Sequence, residues 1–215
     1  MNAIPAEATW REAWGRKAFR VHLVATVPAL LASLAALAAF VKRVERRPGV
    51  VLPDPVLALL APRDLTWLTF ALIYVGLLAG VALLARRPRL LVAGAEAYVL
   101  MVLFRMAVMW VAPFDPPPGM IDLQDPLVER LGGTSQVLTR DLFFSGHTAT
   151  LFLVSLAMPG WRSRLVLLLC AVAVGACVLL QHVHYTLDVL AAPFFAYGAW
   201  RLAGALWKSG PFRHG

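Results

Sequence analysis

Charged side chains are scarce in this sequence: Asp, Glu, Lys and Arg make up 15% of 215 residues, where a soluble domain carries roughly a quarter. Cysteine is scarcer, at two residues. Cys170 and Cys177 share one apolar run, and on a helix their Cα atoms would stand roughly 10 Å apart, too far for a disulfide. They read as packing residues. No internal repeat, low-complexity tract or soluble domain interrupts the chain. No small-residue cleavage site follows the basic N-terminus, so a removable signal peptide is not expected. No carboxylate pair stands at metal-ligand spacing, and His182 with His184 is too thin a set, so neither a metal nor another cofactor is expected.

The sequence is instead rich in apolar residues: 60% are hydrophobic and the mean hydropathy is +0.72. They come in blocks. Segments 21–41 and 65–85 each run without Asp, Glu, Lys or Arg, and each is long enough to cross a hydrocarbon core of about 30 Å as a helix. Four less pure spans follow at 90–112, 142–158, 165–181 and 185–207. Arg201 interrupts the last, but an arginine near a helix end reaches the interface with its head group. The expected fold is all-α: six transmembrane helices in one bundle over 21–207, after an amphipathic segment 1–20 and before a tail 208–215. Trp10, Trp14, Trp67, Trp110, Trp161, Trp200 and Trp207 fall near the expected boundaries, where an apolar ring with a polar N–H is at home. Trp10, Trp14 and Phe19 beside Arg11, Arg16, Lys17 and Arg20 read equally as a helix lying on the membrane or as a disordered basic tail.

The net charge of +8 does not point to nucleic acid, because the basic residues flank the spans, where anionic lipid headgroups are the nearer partner. Six spans put both termini on one side. That side collects Arg11, Arg16, Lys17, Arg20, Arg86, Arg87, Arg89, Arg162, Arg164, Arg201, Lys208 and Arg213. The other collects Lys42, Arg43, Arg46, Arg47, Arg63, Arg130 and Arg140. The positive-inside rule places the termini in the cytoplasm. The opposite side gathers Glu45, Asp54, Asp64, Asp115, Asp122, Asp125, Glu129 and Asp141. It also holds the 113–140 connection, where Pro113, Pro116, Pro117, Pro118 and Pro126 with Gly119, Gly132 and Gly133 exclude a helix and predict an external loop or lid.

Two polar segments fall on that external side. His147 enters span four within Asp141-Leu-Phe-Phe-Ser-Gly-His-Thr148, and His184 and Asp188 open span six. On a helix His184 and Asp188 are i and i+4 and share a face. The carboxylate there fixes one tautomer, leaves the other ring nitrogen free to attack phosphorus, and steadies the positive ring that results. His147 is then the acid for the departing oxygen. Taken singly, such residues are more often caps or bridges: His22 and His214 read as cap or interfacial residues, Ser145 and Thr148 as caps of span four, and Asp188 as half of an interhelical ion pair. Ionisable groups inside a span carry a desolvation cost that calls for a reason. Arg105, deep in span three, suits a lipid phosphate or a bridge to Asp141, and the two readings stand equal. Glu96 lies on nearly the opposite helix face and reads as structural.

Ser-Gly-His-Thr followed by His-Tyr-Thr-Leu-Asp resembles the sphingomyelin synthase branch of the type-2 phosphatidic acid phosphatase superfamily. Leu52-Pro53-Asp54 is similar to its element between the first two spans. Arg105 with Pro118-Gly119-Met120 is similar to its arginine in the third span followed by Pro-Gly-Met, and 141–148 and 181–189 to its last two motifs. The likeness implies a catalytic triad of His147, His184 and Asp188 facing the outer leaflet. It also implies phosphate contacts from Arg105, Ser145 and Gly146, and support from Asp141, His182, Tyr185 and Asp54. The chain departs from the lipid phosphatase signature, lacking the Ser-Arg pair before the second histidine and the Lys-rich first motif, and Val183 stands where the synthases carry an acid. The expected function is a lipid phosphotransferase. It would move a headgroup from a membrane phospholipid to a lipid alcohol, ceramide-like or diacylglycerol, through a phosphohistidine. The same site used for hydrolysis, as a phosphatase or phospholipase C, ranks second. A transporter or structural protein, with the histidines as a proton relay or helix bridge, ranks last, because matching broken halves are absent. A homo-oligomer is left open.

Overall fold

The computed structural model describes residues 9–125 and 138–209. The expectations placed on residues 1–8, on Pro126, Glu129, Arg130, Gly132 and Gly133, and on residues 210–215 of the tail with Arg213 and His214 lie outside the described residues.

Seven α-helices are described: α1 Trp10–Gly15, α2 Lys17–Val44, α3 Thr66–Leu84, α4 Pro88–Val111, α5 Gly146–Ala157, α6 Trp161–Leu180 and α7 Thr186–Ser209. Of these, α2, α3, α4, α6 and α7 are long and apolar enough to cross a membrane. Together they make an integral-membrane helical bundle. The chain around α1 is not a tail over its described part. Thr9 and Glu12 form a reciprocal capping box, Glu12 N to Thr9 Oγ1 at 3.3 Å and Thr9 N to Glu12 Oε2 at 2.9 Å, which starts the helix. Ala13 then packs with Phe19 of α2 and Val92 of α4, and Trp10 Nε1 donates to Ala85 O at 2.7 Å. The first span accordingly starts at Lys17 rather than 21.

The fourth span is corrected in length. Instead of 142–158, α5 has 12 residues, about 18 Å at 1.5 Å per residue, short of the ~30 Å core. Its start is delayed because Arg105 draws the carbonyls of Asp141 and Phe144 out of any helical ladder. Pro159 and Gly160 end it. This short helix is the centre of the bundle, packed against α3, α4, α6 and α7, with Ala149, Leu151, Leu153 and Ala157 buried. A stripe of fully buried alanines on α7, Ala192, Ala196, Ala199 and Ala203, meets Ala97 and Met101 of α4 and Leu153 of α5. Small residues at i, i+4, i+7 and i+11 let helices approach closely, and in lipid that dispersion contact is the main source of association.

On the face where α2 ends, the connections pair with one another. Val50 N donates to Pro113 O and Asp115 N to Val50 O, both at 3.1 Å. Glu45 accepts from Thr139 N at 3.1 Å, Thr139 Oγ1 at 2.6 Å and Arg140 N at 3.0 Å. Arg140 Nε closes on Asp115 Oδ1 at 2.6 Å. Gly119 takes φ +77°, a turn conformation glycine adopts without steric cost. The described parts of the 113–140 connection are thus ordered over the bundle.

Toward the opposite end, Glu96 is structural and has three donors. His22 Nδ1 lies 2.6 Å and Thr26 Oγ1 3.1 Å from Glu96 Oε1, and Trp207 Nε1 lies 2.7 Å from Oε2. The His22 ring stacks on Trp207 at 4.1 Å. His22, inside α2, is therefore not a cap: it binds α2 to α4 and α7.

Candidate active site

The segments carrying the two histidines meet through their backbones. Ser145 N–H, just before α5, donates to Asp188 O in the first turn of α7 at 3.1 Å. His184 lies two residues ahead of α7 rather than on it, so the i,i+4 helical geometry expected for the pair is replaced by a turn. The contact forms all the same: His184 Nδ1 is 3.3 Å from Asp188 Oδ2, at the long end for a hydrogen bond. The same oxygen accepts Tyr185 N–H at 2.9 Å, so the aspartate also satisfies an orphan donor of its own helix start. Asp188 is fully buried and pairs with no lysine or arginine, and its Oδ1 has no partner among the described residues.

His147 is the second residue of α5 and half-buried. Its ring meets the edge of Phe70 at 6.0 Å, and its Nδ1 is enclosed without a hydrogen-bond partner among the described residues. The ring stands within electrostatic reach of His184, Arg105, Asp141 and Asp125. The fold therefore gathers His147, His184, Asp188, Arg105 and Asp141 at one end of the bundle.

Of the two readings of Arg105, the structure favours the internal bridge. Nη2 donates to Asp141 Oδ1 at 2.8 Å and to Asp141 O at 3.1 Å, and Nη1 donates to Phe144 O. Both terminal nitrogens of the fork are thus committed to holding the chain ahead of α5. A Cβ at Gly146 would stand 2.8 Å from Arg105 Nη1, so glycine is needed for the guanidinium to lie against the start of α5. Burial pushes the Asp141 carboxyl up, but the Arg105 charge outweighs it and holds the group below the usual carboxylate range. Ser145 is buried too: its N–H is taken by Asp188 and its hydroxyl by Thr148 Oγ1 at 3.1 Å. It makes no side-chain cap.

The supporting residues are placed more widely. Asp54 caps α7: Oδ2 accepts Thr186 N at 2.7 Å, and Oδ1 accepts Thr186 Oγ1 at 3.0 Å, Val56 N at 3.0 Å and Leu57 N at 3.1 Å. Tyr185 accepts Leu52 N–H at 3.1 Å and donates to Asp115 O at 2.9 Å. His182, with φ +56°, faces Pro118 O at 2.9 Å through Nδ1 and Leu60 O at 3.2 Å through Nε2. These residues border a cleft of about 500 Å³ whose lining includes neither His147 nor His184.

Two residues escaped sequence reasoning. Gln181, fully buried, accepts from Thr69 Oγ1 at 3.1 Å and donates to Thr66 Oγ1 at 3.0 Å, tying α6 to α3. A lone glutamine ending an apolar run was the available signal. Asp125 had none, standing as one acid among several in a long loop, yet it bonds the Tyr74 hydroxyl of α3 and comes within reach of His147.

The arrangement has defined chemistry. A carboxylate on Nδ1 of His184 fixes the tautomer in which Nε2 carries the lone pair, and Nε2 makes no hydrogen bond among the described residues. A second imidazole beside it supplies a proton donor or acceptor. No curated protein matches the chain. Residues 140–205, which hold both histidines and Asp188, match the family described as PAP2 superfamily C-terminal. This match supports the type-2 phosphatidic acid phosphatase superfamily, and with it a lipid phosphatase or phosphotransferase type of chemistry, for this part of the chain.

Proposed function

We propose that the protein is an integral-membrane lipid phosphotransferase that moves a phospho-headgroup from a glycerophospholipid to a lipid alcohol, with His184 as nucleophile and His147 as acid and base. The observation that carries the reading is the His184–Asp188 pair held beside His147 by the Ser145–Asp188 backbone bond. His184 Nε2 attacks phosphorus, the bond from phosphorus to the diacylglycerol oxygen breaks, and that oxygen takes a proton from His147. The acceptor alcohol then returns a proton to His147 as its oxygen attacks phosphorus, the P–N bond breaks, and the headgroup leaves on the acceptor. Asp188 stabilises the positive ring while phosphorus is bound to it. Arg105 positions the His147 segment through Phe144 and Asp141 rather than clasping phosphate with its whole fork.

Depth in the membrane supports transfer over hydrolysis. Arg105 lies six residues inside the end of α4, about 9 Å at 1.5 Å per residue, so the site is recessed where water is limited and lipid alcohols are abundant. The charge count along the chain supports cytoplasmic termini and a site on the outer leaflet. The second reading, hydrolysis with water as acceptor, draws on the superfamily match and on the same three residues. The test is purified protein in vesicles with headgroup-labelled phosphatidylcholine, with and without ceramide. Label on ceramide supports transfer; free phosphocholine or phosphate in both arms supports hydrolysis. Turnover unchanged in His184→Ala refutes the site.

A further inference from the structure

We propose that one acyl chain of the lipid substrate lies in an apolar groove among α2, α3, α4 and α5, and that Gly94 at its far end leaves the room that sets chain length. The inference rests on the proposed lipid-phosphate chemistry and adds the part of the substrate remote from it.

The groove encloses about 330 Å³, within the size range of ligand pockets. Two helical stripes connect it to the site. On α4, Leu91, Tyr98 and Arg105 stand seven apart and share one face, running from the groove's far end to the guanidinium that holds the His147 segment. On α5, Thr150 lies one turn beyond His147 and gives its hydroxyl to Gly146 O at 2.8 Å; Ala157 lies two turns further along. The polar end of the groove is Tyr98 with Thr150, which both line it, and beyond them the wall is aliphatic. From Thr150 to Ala157 the groove runs about 10 Å at 1.5 Å per residue. A polar end beneath a phosphate-handling site and an apolar remainder fit one hydrocarbon chain hanging from a headgroup.

The way in is lateral. α2 packs on α4, while α3 packs on α5 and α6, so α2 and α3 barely touch although they follow each other in sequence. Both line the groove, which leaves it open between them toward the bilayer. At the far end, a Cβ at Gly94 would meet only Ala157 Cβ, at 3.8 Å. The space beside Gly94 is thus free for substrate carbon, and a side chain placed there shortens the groove.

Two measurements test this. The first irradiates reconstituted His184→Ala protein with phosphatidylcholine bearing a diazirine at one acyl terminus and maps the adducts. They are expected on α3, α4 and α5 around Leu84, Leu91 and Ala157, displaced by unlabelled phosphatidylcholine and reduced by about tenfold in the added Gly94→Leu background. Adducts spread over the outer helix faces, or captured on a second copy of the chain, overturn the groove. The second compares wild type with Gly94→Leu and Val81→Phe on long-chain and eight-carbon donors. In at least one well-folded variant, kcat/KM for the long chain is expected to fall by about tenfold while the short chain stays within about twofold. Equal losses for both chains overturn the ruler. Groove adducts in a wild type that turns over no lipid phosphate would leave the groove standing and remove the enzymatic reading; turnover with adducts elsewhere would do the reverse.

Discussion

Ser145 N–H and Asp188 O are hydrogen-bonded at 3.1 Å, and through this contact the start of α5, which carries one histidine, and the turn carrying the other become a single unit. The imidazole of His184 is aligned by Asp188 Oδ2 while the backbone of the same aspartate holds the entrance to α5. The orienting residue for one ring is thereby the anchor for the other.

Replacing Asp188 with Asn should remove the charge while preserving shape. In the proposed mechanism the ring tautomer and the stabilisation of phosphohistidine both depend on that charge, so kcat is expected to fall by roughly three to four orders of magnitude. Headgroup release at saturating lipid, beside a thermal melt in detergent, checks this. An activity loss under tenfold with an unchanged melt would remove Asp188 from the catalytic set.

Arg105→Ala strips donors from Asp141 and Phe144 and leaves a carboxylate unpaired, at a cost of about 3–5 kcal/mol. Gly146→Ala drives a methyl into the guanidinium and is expected to cost about 1–3 kcal/mol. Because both act on one contact, their combination should be clearly less than additive. Tryptophan-detected unfolding of the two single variants and the double variant measures the coupling, and simple additivity would contradict the close contact.

Acid should loosen this end of the protein. Burial raises the Asp54 carboxyl, but hydrogen bonds from Thr186, Leu57 and Val56 outweigh it and hold the group low. Asp141 is held low by Arg105. Both folded values lie below the unfolded ones, so the unfolded chain binds the extra protons. The stabilisation is complete above the unfolded value near pH 4 and is lost as pH falls through the folded values. Melting temperature against pH should drop more steeply below about pH 4 in wild type than in Asp54→Asn with Asp141→Asn. Asp54→Ala at neutral pH should cost about 1 kcal/mol, the usual worth of a helix N-cap.

Glu96 anchors three helices and lies nine residues from Arg105, about 14 Å along α4. Glu96→Ala leaves His22 and Trp207 without their partner, while Thr26 keeps the His22 carbonyl at 2.6 Å. The melt is expected to fall, by about 1–3 kcal/mol in stability. Transfer per folded molecule should remain within about twofold. A selective loss of activity without loss of stability would show that this cluster acts on the site.

By itself the sequence determined the membrane class, the positions of five long helices and the local pairing of His184 with Asp188. Hydropathy over twenty residues and a spacing of four are properties of a short stretch of chain, and they survive into the fold even though His184 sits in a turn ahead of α7. Only the tertiary structure decided that Arg105 answers Asp141, 36 residues away, that His22 answers Glu96 across 74, and that Asp54 caps Thr186 across 132. It also decided that α5 is too short to cross alone. Those outcomes depend on which buried donor meets which acceptor once helices pack, and a buried polar group takes whatever partner the packing brings, however far away in the chain.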